Sequence, residues 1–212
     1  MRTRAAIVVG GLASAAAAVV YQWFLRRLIL TWGATPDEVS AALRGDELLP
    51  GADGVSTRAI TVAAQPQQVY PWLVQMGPDP RGGAYTYDWV ENLLGLHMHS
   101  SDVVLDAFQH PTIGTEVDLG PNRMIIEIAN PGEAFAIRSA DGNWVWAFTI
   151  VDRADGTCRL ISRNRYRLPR LRDRIGMLPM EAGSLIMERK MLLGIRHRAE
   201  HMHDGAAVRR LR

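Results

Sequence analysis

Hydrophobic period narrows the fold more than any other feature of this chain: it becomes two at Gly114 and turns helical after residue 170. Between those points apolar and polar residues alternate through segments near 115–119, 123–129, 133–139, 143–152 and 157–168. Such alternation sends successive side chains to opposite faces of a strand. Pro131-Gly132, Asp141-Gly142 and Asp155-Gly156 punctuate the run, with the residue types that tight hairpin turns require. An antiparallel meander is therefore expected. From Leu171 to about Met202 the apolar residues Ile175, Leu178, Leu185, Ile186, Met187, Leu192 and Ile195 fall at helical spacing. They predict one long closing helix, with Pro179 and Gly183 placed to bend it. Upstream, Val55 to Val62 alternates as a further strand, and Pro66 opens a helix carrying Val69, Trp72, Leu73 and Met76. Further helices are expected over Asp88–Leu94, where Asp88 and Glu91 have capping-box spacing, and over Ser101–Phe108. The class is α+β, with an antiparallel sheet wrapped around a long C-terminal helix.

The N-terminus is of another kind. No charged residue lies between Arg4 and Arg26, so Ala5–Leu25 as a helix would span about 31 Å, the thickness of a bilayer's hydrocarbon core. Tyr21, Trp23 and Trp32 cluster at one end with Arg26 and Arg27, a composition suited to the headgroup zone. The reading is a single-pass transmembrane anchor in residues 1–32, so a membrane location is expected. A cleaved signal peptide ending at Ala13-Ser14-Ala15 and a buried soluble helix are the alternatives. Arg2 and Arg4 nearly balance Arg26, Arg27 and Arg44, so no orientation follows. Thr35-Pro36-Asp37-Glu38 signals a short helix reaching about Leu43, and the Pro/Gly-containing stretch to Gly54 reads as a linker. The chain thus divides into 1–32, 33–54, a domain over 55–203 and a basic tail over 204–212.

The net charge of +2 conceals an asymmetry. Residues 1–27 carry four basic and no acidic groups, 28–158 carry 6 and 17, and 159–212 carry 14 and 5. Seven arginines between Arg159 and Arg174 form a stripe expected to face outward and to suit anionic lipid headgroups. Nucleic acid is excluded as a partner, because the acidic middle repels phosphate and no zinc-finger, RNP or Walker spacing occurs. Since 23 of the 24 basic residues are arginine, the Arg content reads as coding bias. One cysteine, Cys158, excludes an internal disulfide framework.

Strand parity places Trp144, Trp146, Phe148 and Ile150 on one face, with Leu160, Ser162, Asn164 and Tyr166 of the last strand. Arg163, Arg165 and Arg167 oppose them. Polar groups on an apolar inner face need partners, either protein or ligand.

Several segments carry a family likeness: Ser56-Thr57-Arg58-Ala59-Ile60-Thr61-Val62, Pro66-x-x-Val69-x-x-Trp72-Leu73, Pro131-Gly132-Glu133-Ala134-Phe135, Trp146-x-Phe148 and Asp155-Gly156-Thr157-x-Arg159-Leu160-Ile161-x-Arg163-x-Arg165. Over residues 55–202 the chain resembles the SRPBCC superfamily, the START-like and polyketide-cyclase-like proteins. Tyr85-x-Tyr87-Asp88-Trp89-x-Glu91-Asn92 is similar to a membrane-tethered branch of it. The resemblance implies a helix-grip fold with a cavity between sheet and C-terminal helix for a lipid, polyketide-like or other apolar molecule. It carries no shared catalytic set and implies no cofactor. Parity and aromatic content give Tyr85, Tyr87, Trp89, Trp144, Trp146, Ser162, Asn164, Tyr166 and Met187 as candidate ligand-binding residues. The expected function is binding rather than turnover. A cyclase- or dehydrase-type enzyme and a non-binding membrane-tethered scaffold are the alternatives.

Other clusters have simpler explanations. His197, Glu200, His201, His203 and Asp204 suit a solvated helix terminus, and His97, His99 and Asp102 a polar loop, so no metal is expected. Cys158 on the inner-face parity reads as a small buried apolar group.

Overall fold

A computed structural model describes residues 25–119 and 122–202; within the last helix the side chains of Leu171, Ile175 and Leu178 are outside the description. The anchor expected over residues 5–25 and the basic tail lie outside these bounds, Leu25 excepted. Among the described residues no helix is long and apolar enough to cross a membrane.

The elements are α1 (Arg26–Leu30), α2 (Pro36–Ser40), β1 (Gly54–Val62), α3 (Pro66–Val74), α4 (Asp88–Leu93), β2 (Glu116–Leu119), β3 (Asn122–Asn130), β4 (Ala134–Ser139), β5 (Trp144–Asp152), β6 (Cys158–Tyr166) and α5 (Leu171–Glu200). The six strands form one sheet in the order β1-β6-β5-β4-β3-β2, every pair antiparallel. Strands 2 to 6 are the expected meander, and β1 closes the far edge by pairing with β6 from Gly54↔Tyr166 to Val62↔Cys158. A register shift between Ile126 and Ile128 bends β3. This is the helix-grip arrangement. Phe135, Phe148, Ile150 and Leu160 of the inner face pack with Val69, Leu73, Leu192 and Ile195 of α3 and α5 into the main core.

Three expectations change. Ser101–Phe108 is a loop with a single 3-10 turn at Asp106–Phe108. There the buried Gln75 amide donates to the Val103 carbonyl (3.2 Å) and accepts from the Leu105 N–H (2.9 Å), meeting needs that helical bonds would otherwise meet. Asp88 is no capping residue. Its carboxylate accepts from the Ser100 N–H and hydroxyl at 2.7 and 2.6 Å, stapling α4 to the following loop.

The third change is on the outer face, where Arg163 is buried and Arg159 and Arg165 are largely covered, while Arg167, Arg170, Arg172 and Arg174 stay exposed. The α2 capping box forms as expected, with Glu38 N–H to Thr35 Oγ1 at 3.2 Å and Thr35 N–H to Glu38 at 2.8 Å. The helix nevertheless ends at Ser40 rather than Leu43, and residues 33–53 cross the outside of β6 as a strap. Arg163, only 3% exposed, spends all five N–H groups beneath it: on Thr57 Oγ1, Asp46 and the carbonyls of Glu38, Val39 and Ala41, at 2.7–3.2 Å. Arg159 pairs with Glu38, Arg165 with Asp46 and the Leu49 carbonyl, Arg167 with the Pro50 carbonyl and Arg174 with Asp53. The segment expected as a linker is thus packed, and Arg159, Arg163 and Arg165 of the stripe expected to meet lipid headgroups are covered by the chain itself.

Candidate functional site

The inner face of β5 and β6 meets the middle of α5 in a polar seam. β6 alternation turns Ser162, Asn164 and Tyr166 inward, and register sets Arg58 of β1 opposite Ser162. On α5, Glu181, Ser184 and Glu188 recur at i, i+3 and i+7, so they share the face turned to the sheet. Trp146 donates its indole N–H to Ser162 Oγ (2.9 Å), and Trp144 donates to Asn164 Oδ1 (2.8 Å). Asn164 donates in turn to Glu188 Oε2 at 3.3 Å. Arg58, fully buried, forms an ion pair with Glu188 and donates to Ser184 Oγ and the Ile29 carbonyl at 3.0 and 3.1 Å. Arg26 of α1 holds Glu181 through bonds of 2.8–3.1 Å, and the Tyr166 hydroxyl reaches the same carboxylate at 3.5 Å. The Tyr166 ring lies over Gly54, where a Cβ would come within 2.1 Å of it.

The electrostatics follow from burial. Desolvation raises the Glu188 carboxyl above its ordinary range, opposed by Arg58 and by hydrogen bonding from Ser162. Its Oε1 atom is buried without a hydrogen bond of good geometry. Burial also raises the Tyr166 phenol, and Glu181 adds to the rise. The Trp144 and Trp146 rings are half-buried and stacked, with centroids 5.9 Å apart and planes 19° apart. Their N–H groups are committed to the protein, so what they offer a ligand is apolar ring surface. A recess of ≈ 20 Å³ beside Trp146, among Met76, Ala84, Val117, Phe135 and Ile137, has room for one water and not for a ligand.

The nine sequence-derived residues separate into groups. Trp144, Trp146, Ser162, Asn164 and Tyr166 come together as described, and Met187 is half-buried on α5 beside Glu188. Tyr85 instead belongs to the core: buried at φ 59°, it meets Trp72 edge to face, with the Arg198 guanidinium 4.7 Å from its ring centroid. Tyr87 lies beside Lys190 at the surface, and Trp89 is 71% exposed. The aromatic cluster expected in the cavity is thus divided between core and surface. Arg58, Glu181 and Glu188 were missed. The signal for Arg58 was present, since it alternates in phase with Ile60 and Val62.

Among the described residues no group of three or more His, Cys, Asp or Glu side chains is placed to hold a metal. His203 and Asp204 lie outside them. Asp102 pairs with Arg198 at 2.7 Å. Cys158 is buried, and desolvation followed by the charge of Asp152 pushes its thiol up to about 11, so the thiolate is scarce at neutral pH.

No protein-family profile matches this chain, and no curated protein matches it. Solved structures are similar to it at low identity. The polyketide-cyclase-like protein Cgl2372 from Corynebacterium glutamicum is 17% identical with a TM-score of 0.44, over 73% of this chain and 99% of that one. Protein MLL2253 from Mesorhizobium loti is 12% identical with a TM-score of 0.43, over 70% and 98%. Norcoclaurine synthase from Thalictrum flavum is 14% identical with a TM-score of 0.41, over 68% and 84%. The helix-grip assignment itself rests on the strand order and the closing helix.

Proposed function

We propose that this protein binds an apolar small molecule, a lipid or polyketide-like compound, between the inner sheet face and α5. The stacked Trp144 and Trp146 rings form the floor, and Glu188 Oε1 is the acceptor for one ligand hydroxyl or amine. The observation that carries the reading is this pairing of half-buried ring surface with an unsatisfied buried acceptor, since ligand sites combine apolar walls with a few placed polar atoms. In the same reading the uncharged run 5–25 anchors the domain in a membrane. Its support is the length of the run and the two arginines that end it.

Organic extraction and native mass spectrometry of the full chain, released from lipid nanodiscs, test the binding. A stoichiometric apolar compound enriched over bulk lipid is expected, and Trp146→Ala should lose it while keeping the wild-type far-UV spectrum. Identical extracts from wild type and variant would sink the reading.

A second reading, a cyclase- or dehydrase-type enzyme acting at the same seam, is favoured by the upward shift of the buried Glu188 carboxyl. A buried carboxyl that holds its proton more tightly than usual is a candidate for acid–base work. Glu188→Gln would then abolish turnover of the extracted compound while still binding it.

A further inference from the structure

We propose that the helix-bearing side of the domain rests on a lipid bilayer, with Trp89, Leu93 and Leu94 in its interfacial zone. The inference rests on the anchor reading for residues 5–25. It starts from exposure: Trp89, Leu93 and Leu94 are 71%, 79% and 72% exposed, although α4 is only six residues long. Trp89 and Leu93, four residues apart, share one helix face. Three large apolar side chains left in water within one turn and a half mark a contact surface rather than ordinary scatter.

Charge selects the occupant. The acidic groups of α4 and mid-α5 are turned inward or paired: Asp88 to Ser100, Glu91 into the protein, Glu181 to Arg26 and Glu188 to Arg58. Arg27, Arg189 and Lys190 are exposed on the same group of helices. An apolar patch beside outward cations with inward acids matches an anionic bilayer surface, where tryptophan favours the headgroup level.

Position agrees. At one level of α5, the Arg189 guanidinium lies 5.3 Å from the Trp32 ring centroid on the α1 flank, and the Lys190 ammonium lies 5.7 Å from that of Tyr87 on the α4 flank. The exposed Ile186, one turn earlier than Lys190, continues the strip between them. Leu28 of α1 is also exposed, and the uncharged run ends at Leu25, immediately before that helix. The strap covers the opposite face of the sheet. A chain entering a bilayer at residue 25 therefore brings the helix side, not the arginine-rich outer face, toward the lipid.

The test uses the full chain reconstituted in vesicles of phosphatidylcholine and phosphatidylglycerol, with a nitroxide on Leu93→Cys. Ala42→Cys, exposed on the strap, is the reference. Cys158 is fully buried, so the wild-type chain should take no label. Position 93 is expected to collide with oxygen and be shielded from a water-soluble nickel chelate, and position 42 to show the reverse. Equal nickel access at both positions, in protein that stays with the vesicles through an alkaline wash, would overturn the proposal and leave the anchor standing. Spin–spin broadening among labels at 93 that disappears on dilution with unlabelled chain would assign the patch to a second copy and overturn it as well. Loss of the protein in the wash would remove the anchor and the bilayer contact together.

Discussion

Replacing Arg58 by methionine removes one half of a buried ion pair and gives a pH-dependent cost. Glu188 would then be a buried carboxylate facing only Asn164 and Ser162, and it escapes most of the desolvation penalty by taking up a proton. The cost of that proton sets the ceiling. From the ordinary carboxyl value of 4.5, protonation at about 1.4 kcal/mol per pH unit costs about 4 kcal/mol at pH 7.5 and about 1.4 kcal/mol at pH 5.5. The sign follows: in the variant Glu188 binds its proton more tightly folded than unfolded, so stability falls as pH rises above 4.5. Loss of the bonds to Ile29 and Ser184 adds a part independent of pH. Urea unfolding of the full chain in mild detergent, followed by tryptophan fluorescence between pH 5 and 8, reads both parts. The double variant Arg58→Met/Glu188→Leu should recover most of the loss at pH 7.5, since an apolar pair often replaces a buried ion pair at little cost. A penalty for Arg58→Met that is flat across this range would refute the account of Arg58 as the charge that opposes protonation of the buried Glu188.

Arg163→Met removes five hydrogen bonds beneath the strap, including the pair with Asp46, and should cost about 3–5 kcal/mol. Amide exchange over residues 36–49 should accelerate, and unchanged protection there would show that the arginine does not hold the strap. Burial raises the Glu38 carboxyl, but its hydrogen bonds from Arg159 and Thr35 outweigh this and leave it below the ordinary 4.5. Its contribution is therefore present above pH 4.5 and lost as pH falls through the folded value. Glu38→Gln should cost about 1 kcal/mol at pH 7, the screened value for a part-exposed pair, and progressively less as pH falls below 4.5; equal urea midpoints at pH 7 would rule this out. Gly54→Ala sets a methyl against the Tyr166 ring. A loss of about 1–3 kcal/mol is expected, with a changed near-UV spectrum as the ring moves, and an unaltered spectrum would contradict that packing.

The strands were legible because each carries its own signal: one apolar face, and a turn residue at each end. Observed strand boundaries fall within two residues of the expected ones, and the Asp155-Gly156 hairpin returns β6 to the register the alternation implied. Parity was also right for Arg163 and Arg165, yet an outward face is not an exposed one. Their partners lie about 120 residues away in a strap whose short local pattern gives no hint of where it docks. The same distance hid the Arg58–Glu188 pair. Helical spacing on α5 misplaced Ile186, which is exposed, because between Glu181 and Glu188 the helix turns charged residues inward and an apolar one outward. The loop at 101–108 shows a further limit, since Gln75, some thirty residues earlier, supplies the bonds that would otherwise have been helical.

The polar seam also constrains what the site can select. Every indole and guanidinium group in it is bonded to the protein, and of the Glu188 oxygens only Oε1 lacks a bond of good geometry. Selection among apolar ligands then comes from fit to the tryptophan surface and from one donor reaching Oε1. A ligand hydroxyl there is worth about 1–3 kcal/mol over its deoxy analogue, because the analogue leaves the acceptor buried and unsatisfied. The same seam includes α1, whose Ile29 carbonyl accepts from Arg58 and whose Arg26 holds Glu181, a neighbour of Tyr166. The helix that follows the N-terminal run is therefore part of the site's wall, and a chain cut after residue 30 would lose the bonds that orient Arg58 and Glu181 before any ligand arrived.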